Sequence, residues 1–200
     1  MSELLPVLMP FQDLPFNGDT LIERQVNELQ KKFNIKTAIE TGTCLGSTTL
    51  FLANHFKRVY TVEINENYAR IARNRFIHVK NIELFVGNSP DELKNILINL
   101  EDRALIFLDA HWGENCPLQK ELEVIADRSK KKPIIAIHDF KIPGKPEYGY
   151  DSYQGQDFTF EWLEPWFDLI YGKGQYEHFY NTGIVEESAK RGIIFLVPKE

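Results

Sequence analysis

Cysteine is scarce in this 200-residue sequence, and its two residues, Cys44 and Cys116, are too few for a disulfide framework, so both are expected as reduced thiols. Long apolar runs are missing too: none approaches the roughly 20 residues that a membrane-spanning helix requires. The apolar stretch Leu4, Leu5, Val7, Leu8 and Met9 is broken by prolines and lacks the basic start of a signal peptide, so a cytoplasmic location is expected. No internal repeat, low-complexity tract or Pro/Gly/Ser-rich linker divides the chain. With 43% hydrophobic residues it can fill one core, and one domain over 1–200 is expected. Basic charge is in deficit, 23 Lys and Arg against 29 Asp and Glu, for a net charge of −6. The densest basic run is only Lys130-Lys131-Lys132, so neither nucleic acid nor a membrane surface is the expected partner.

What is present is a glycine turn between an apolar strand and an apolar helix, Glu40-Thr41-Gly42-Thr43-Cys44-Leu45-Gly46-Ser47-Thr48. Two glycines four apart let the backbone leave a strand sharply and approach a ligand, and the following helix offers free N–H groups to an anion. The next strand, Arg58 to Ile64, brings Glu63 near its end, about twenty positions on, where such folds hold a ribose by its hydroxyls. The order of strand, turn, helix, strand and acid points to a nucleoside ligand. A dinucleotide turn needs a middle glycine where Thr43 and Cys44 stand, and a phosphate loop needs a lysine that does not follow Gly46.

Apolar, β-branched runs at Thr37–Glu40, Val59–Ile64, Ile82–Val86, Ala104–Leu108, Ile134–Ile137 and Ile193–Val197 have strand length and little alternation, as in a sheet buried on both faces. Helical spacing lies between them: Leu50, Ala53, Phe56; Tyr68, Ile71, Ala72; Leu93, Ile96, Leu97, Leu100 after Pro90; Leu118, Leu122, Ile125 after Pro117. The pattern predicts an α/β doubly wound, Rossmann-like sheet of seven strands, mostly parallel. Gln175 to Pro198 reads as two strands with a short connection around Glu186–Gly192, an antiparallel C-terminal hairpin. A helix over Asp19–Phe33, with Thr20 and Glu23 in capping-box spacing, closes an N-terminal extension (1–35) that either covers the sheet edge or helps grip a substrate.

Glu40, Gly42 and Gly46 make up an acidic residue, one spacer and Gly-x-x-x-Gly, and here the chain resembles the class I S-adenosylmethionine (SAM) dependent methyltransferases, from about Lys36 onward. The resemblance implies SAM as cofactor. Thr41 to Gly46 would pass its methionine moiety, Ser47 or Thr48 would take the carboxylate, and Glu40 or Asp109 would face the amine. Glu63 would take the ribose and Asn88-Ser89 would lie beside adenine.

Chemistry is expected at the carboxyl ends of the strands, where the ligand crevice of an open α/β sheet forms. There the sequence places Asp109-Ala110-His111-Trp112 and His138-Asp139-Phe140. His111 or His138 could act as a base towards a hydroxyl acceptor. Alternatively Asp109, His138 and Asp139 occupy the metal-ligand places of the catechol O-methyltransferase-like and cephalosporin-hydroxylase-like relatives, with His138 standing where a carboxylate is usual. A nitrogen ligand suits Mn, Fe or Zn better than Mg. Both mechanisms stay open. The Tyr148, Tyr150 and Tyr153-bearing segment 141–158 is expected as a lid, and Trp162, Trp166 and Phe167 as core or dimer contacts. The resulting expectation is O-methylation of a small-molecule hydroxyl, on a sugar or secondary metabolite, by a possible homodimer. An NAD-dependent oxidoreductase and a catalytically silent nucleoside-binding protein are the alternatives.

Overall fold

The computed structural model describes residues 11–111, 114, 116–183 and 185–199; the apolar residues between Leu4 and Met9, and Trp112, lie outside them. Among the described residues, a 3-10 turn (Pro15–Gly18) precedes nine strands and six α-helices in the order α1 (Thr20–Lys32), β1 (Thr37–Thr41), α2 (Ser47–His55), β2 (Arg58–Glu63), α3 (Glu66–Phe76), β3 (Ile82–Val86), α4 (Ser89–Ile98), β4 (Ala104–Leu108), α5 (Leu118–Arg128), β5 (Ile134–His138), β6 (Ser152–Tyr153), β7 (Gln156–Asp157), α6 (Phe160–Tyr171), β8 (Tyr176–Tyr180) and β9 (Ile193–Pro198).

Seven strands form one sheet in the order β3-β2-β1-β4-β5-β9-β8. β1 to β5 run parallel, while β9 pairs antiparallel with both β5 and β8, which is the expected mostly parallel sheet with an antiparallel C-terminal pair. After β3 the chain returns across β1 to lay down β4 on its other side. The strand order therefore reverses between β1 and β4, and a crevice opens beyond their carboxyl ends.

Alternation along each strand divides the apolar side chains between two faces. Ile39, Ile106, Leu108, Ile135 and Ile137 pack with α4, α5 and α6. Ala38, Leu105, Phe107, Ile134 and Ala136 pack with α1 and α2. Double-sided burial explains why these strands read as continuous apolar runs rather than alternating ones.

Two local details differ from the sequence reading, and a third bears on the segment expected as a lid. Asp19, not Thr20, caps α1, because its Oδ1 accepts from the N–H groups of Leu21 (2.9 Å) and Ile22 (3.2 Å). The connection between β8 and β9 runs over residues 181–192, longer than expected, and Asn181 anchors it: its amide donates to Asp19 Oδ2 (3.0 Å) and its carbonyl accepts from Ile193 N (2.9 Å). The segment 141–158, expected as a lid, is pinned to the body. Lys141 N donates to Phe158 O (2.8 Å), Asp151 N to Asp139 O (2.9 Å) and Gly149 N to Lys190 O (2.8 Å), and Tyr148 and Phe158 are buried.

Candidate active site

The turn after β1 is built by its glycines. Gly42 has φ +85°, and a Cβ there would stand 2.3 Å from the backbone carbonyl oxygen of Asp109, so only glycine lets the ends of β1 and β4 come this close. Gly46 has φ +81°, and a Cβ would meet the Phe76 ring at 2.4 Å. Gly42 N and Thr43 N both donate to Val62 O, at 2.9 and 3.2 Å, which binds the turn to β2. Glu63 closes the same loop: Oε2 accepts from Cys44 N (2.7 Å) and Oε1 from Asn65 N (2.8 Å). Burial pushes its carboxyl up, against the pull of those backbone donors.

A cavity of about 510 Å³ opens at this point, within the range of small-molecule sites. Of the predicted cofactor residues, Gly42, Gly46, Ser47, Thr48, Glu63, Asn88, Ser89 and Asp109 line it, whereas Thr41 lies behind the wall. Glu40 is also behind it. Its Oε2 accepts from Thr61 (2.6 Å) and from Thr49, and burial pushes its pKa to about 8, with Asp109 and Glu63 adding to the rise. Of the two acids expected near a cofactor amine, only Asp109 lies on the cavity wall.

Ser47 and Thr48 also carry structural bonds. Ser47 Oγ donates to Asp13 O (3.0 Å), and Thr48 Oγ1 accepts from Phe16 N (2.9 Å). These bonds lay residues 11–18 across the start of α2, where Phe16 is buried edge-on against Phe51 and Phe107, and bring Gln12, Leu14 and Asn17 into the cavity wall. Sequence reasoning missed these residues, as it missed Tyr68, Cys116 and Lys120, which also line the cavity. No motif marks them. Cys116 and Cys44 are free thiols pushed up to about 11 by burial, which makes them poor nucleophiles.

The second group of residues gathers at the ends of β4 and β5. His111 Nε2 lies 2.9 Å from Asp139 Oδ2, 3.6 Å from Asp151 Oδ2 and 3.8 Å from Asp109 Oδ1. His138 Nδ1 lies 3.2 Å from Asp109 Oδ1 and 3.4 Å from Asp139 Oδ1. Arg191 joins them, its Nε donating to Asp139 and its Nη2 to Asp151. Burial presses both imidazoles towards neutrality, but the surrounding carboxylates win: His111 is raised and His138 raised well above the usual histidine value. Asp139 goes the other way, held well below the usual range by the two imidazoles despite its burial.

Asp109 and His111 face the cavity, while His138 and Asp139 stand behind it. The reason is local. His138 continues the alternation of Ile134 and Ala136, so its ring lies on the α1/α2 side with its centroid 5.8 Å from that of Phe107. Asp139 escapes that alternation through a left-handed backbone (φ +56°) that turns its carboxylate towards His111. Among the described residues, Asp109, His111 and Asp139 are the acids and histidines whose ligand atoms all lie within 4.8 Å of one another; the expected set had His138 where this one has His111. Donor spacings of 2.9 and 3.8 Å fit neighbouring ligands about 2.1 Å from one ion, and a mixed oxygen and nitrogen set is chemically suited to Mn, Fe or Zn.

Residues 39–140, just over half of the chain, match the family model of a methyltransferase domain. The chain belongs to this methyltransferase family. It has the class I SAM-dependent fold expected from its glycine turn. Solved structures share that fold at low identity. The O-methyltransferase TomG of Streptomyces achromogenes, involved in tomaymycin synthesis and solved with SAM, superposes with a TM-score of 0.66 at 14% identity, over 92% of this chain and 82% of its own. An O-methyltransferase of Bacillus cereus in complex with S-adenosylhomocysteine (SAH) gives 0.66 at 20% identity, over 94% and 85%. An rRNA methylase of Streptococcus thermophilus gives 0.56 at 14%, over 88% and 95%, so the fold by itself does not choose the acceptor. No curated protein matches the sequence. No described helix of the methyltransferase is long and apolar enough to cross a membrane.

Proposed function

We propose that this methyltransferase transfers the methyl group of SAM to a hydroxyl of a small molecule, assisted by a divalent cation. The carrying observation is the position of Asp109 and His111: both face the cofactor cavity, and both belong to a cluster of three carboxylates and two imidazoles. Glu63 would hold the ribose, the turn from Gly42 to Gly46 would leave room for the methionine moiety, and Asp109 would accept from its amine. Asp109, His111 and Asp139 would hold the cation. When bound, such an ion supplies Lewis acidity that lowers the pKa of a coordinated hydroxyl. Because transfer from a sulfonium is an in-line displacement, the rest of the site chiefly aligns donor and acceptor and excludes water. His138 keeps the two carboxylates oriented from behind. The metal reading is favoured over a histidine base by geometry: His111 is flanked by Asp109, Asp139 and Asp151, an oxygen-and-nitrogen donor set beside the cavity.

The test is direct. Protein stripped with EDTA is incubated with SAM and catechol or a methyl glycoside, with and without Mn or Mg, and SAH is measured. Metal-dependent SAH formation that disappears in Asp109→Ala is expected. Transfer undiminished by EDTA, or transfer only to a nitrogen or to RNA, would overturn the proposal.

A further inference from the structure

Arg191 lies in the connection before β9, 52 positions from Asp139, yet it reaches the centre of the cluster. Its Nε takes Oδ1 of Asp139 and its Nη2 takes Oδ1 of Asp151. In both cases the other oxygen, Oδ2, is the one turned to His111 Nε2, at 2.9 and 3.6 Å. The backbone that carries Arg191 is itself held. Gly149 N donates to Lys190 O (2.8 Å) and Gly192 N to Gly149 O (2.9 Å), and Asn181 Nδ2 donates to Arg191 O (3.2 Å). Gly149 leaves room for the guanidinium: a Cβ there would stand 2.8 Å from Arg191 Nη1 and push it aside. The same arrangement secures a strained residue, for Asp139 sits at φ +56°, a conformation that costs an L-residue energy, and its carbonyl accepts from Asp151 N at 2.9 Å.

We infer that Arg191 is a positioning residue for the cation site, fixing Asp139 and Asp151 so that one oxygen of each is committed to the guanidinium and the other is presented beside His111. The inference rests on the metal-assisted reading above and adds to it a residue outside the cofactor cavity. The planar fork of arginine suits the task, since it can serve two carboxylates at once and a lysine ammonium cannot hold both in fixed planes. Asp151 comes from the segment expected as a lid, so the same side chain makes that segment a wall of the site.

Charge and orientation make opposite predictions. Removing a cation leaves the cluster more negative, which by charge alone would tighten a divalent ion. Removing an orienting partner weakens metal affinity by about ten- to a hundredfold. SAH-loaded protein is titrated with Mn(II), and free ion is read from its electron paramagnetic resonance signal, for wild type, Arg191→Gln and Arg191→Lys. The expected result is Mn(II) binding weakened about tenfold or more in Arg191→Gln, partly recovered in Arg191→Lys, with SAH affinity measured by calorimetry unchanged in both. Equal or tighter Mn(II) binding in Arg191→Gln overturns the inference and leaves the metal reading standing. Absence of Mn(II) binding in the wild type overturns both. Should Arg191→Gln lose SAH binding through misfolding, Arg191→Lys, which keeps the charge, is read alone: Mn(II) binding weaker than in wild type supports the inference and unchanged binding overturns it.

Discussion

Glu40→Gln separates a scaffold acid from a cofactor ligand. In the folded protein Glu40 titrates at about 8 because it is desolvated, against 4.5 ordinarily. A carboxyl raised in this way contributes stability that is complete below its unfolded value and is lost as pH rises through the folded one. Each unit is about 1.4 kcal/mol, so wild type should lose about 3–4 kcal/mol of this contribution between pH 5 and pH 8. Glutamine does not ionise, and its oxygen can still accept from Thr61 and Thr49. It gives up the carboxylic proton as a donor, about 1 kcal/mol. The variant should therefore be slightly less stable than wild type at pH 5 and about 2–3 kcal/mol more stable at pH 8. Urea denaturation of both proteins across this range measures the difference, in which Glu63 and Glu121, raised in both, largely cancel. SAH affinity should change less than threefold or so, since Glu40 does not line the cavity. A difference independent of pH, or a tenfold loss of SAH affinity in a folded variant, would refute the reasoning.

Glu63→Ala should weaken SAH binding about a hundredfold, because a carboxylate accepting from a ribose is worth about 1.5–3 kcal/mol per bond; calorimetry showing unchanged affinity would remove Glu63 from the cofactor site. Gly42→Ala should destabilise by at least about 2 kcal/mol, combining a left-handed alanine with a contact to the Asp109 carbonyl, and should abolish SAH binding; a thermal midpoint equal to wild type would contradict this. Asp13→Ala removes a pair with Arg75 in which Asp13 is two-thirds exposed, so stability should move by less than about 1 kcal/mol. Stopped-flow measurement should nonetheless find faster SAH release, and an unchanged rate would show that residues 11–18 do not restrain the cofactor.

What the sequence made legible was chemistry carried by neighbouring residues. Gly42 and Gly46 announce a turn that only glycine can make, and the apolar run before Glu63 places that acid at a strand end. What stayed hidden depended on distant or unusual backbone. Phe16 and Asn17 adopt positive φ without being glycine, so nothing local predicts that residues 11–18 fold over α2. Arg191 meets Asp139 only because the long connection between β8 and β9 brings it back. That the Asp139 carboxylate turns towards His111 depends on its positive φ, which no residue type at that place advertises. Thr20 was mistaken for the cap of α1 because Asp19 is equally able to cap and stands one residue earlier.

The family match ends at residue 140, one position past Asp139. Tyr68, Cys116 and Lys120 line the cavity from within the matched stretch, but Gln12, Leu14 and Asn17 come from before it, and Asp151 and Arg191, beside His111 and Asp139, come from after it. The protein is in this sense an engine in a fitted housing. The shared stretch supplies the turn, Glu63, Asp109 and both histidines, and the appended segments shape the space around them. New acceptors could thus be acquired by recasting the housing, at 11–18, 141–158 and 181–192, with no residue of the engine replaced.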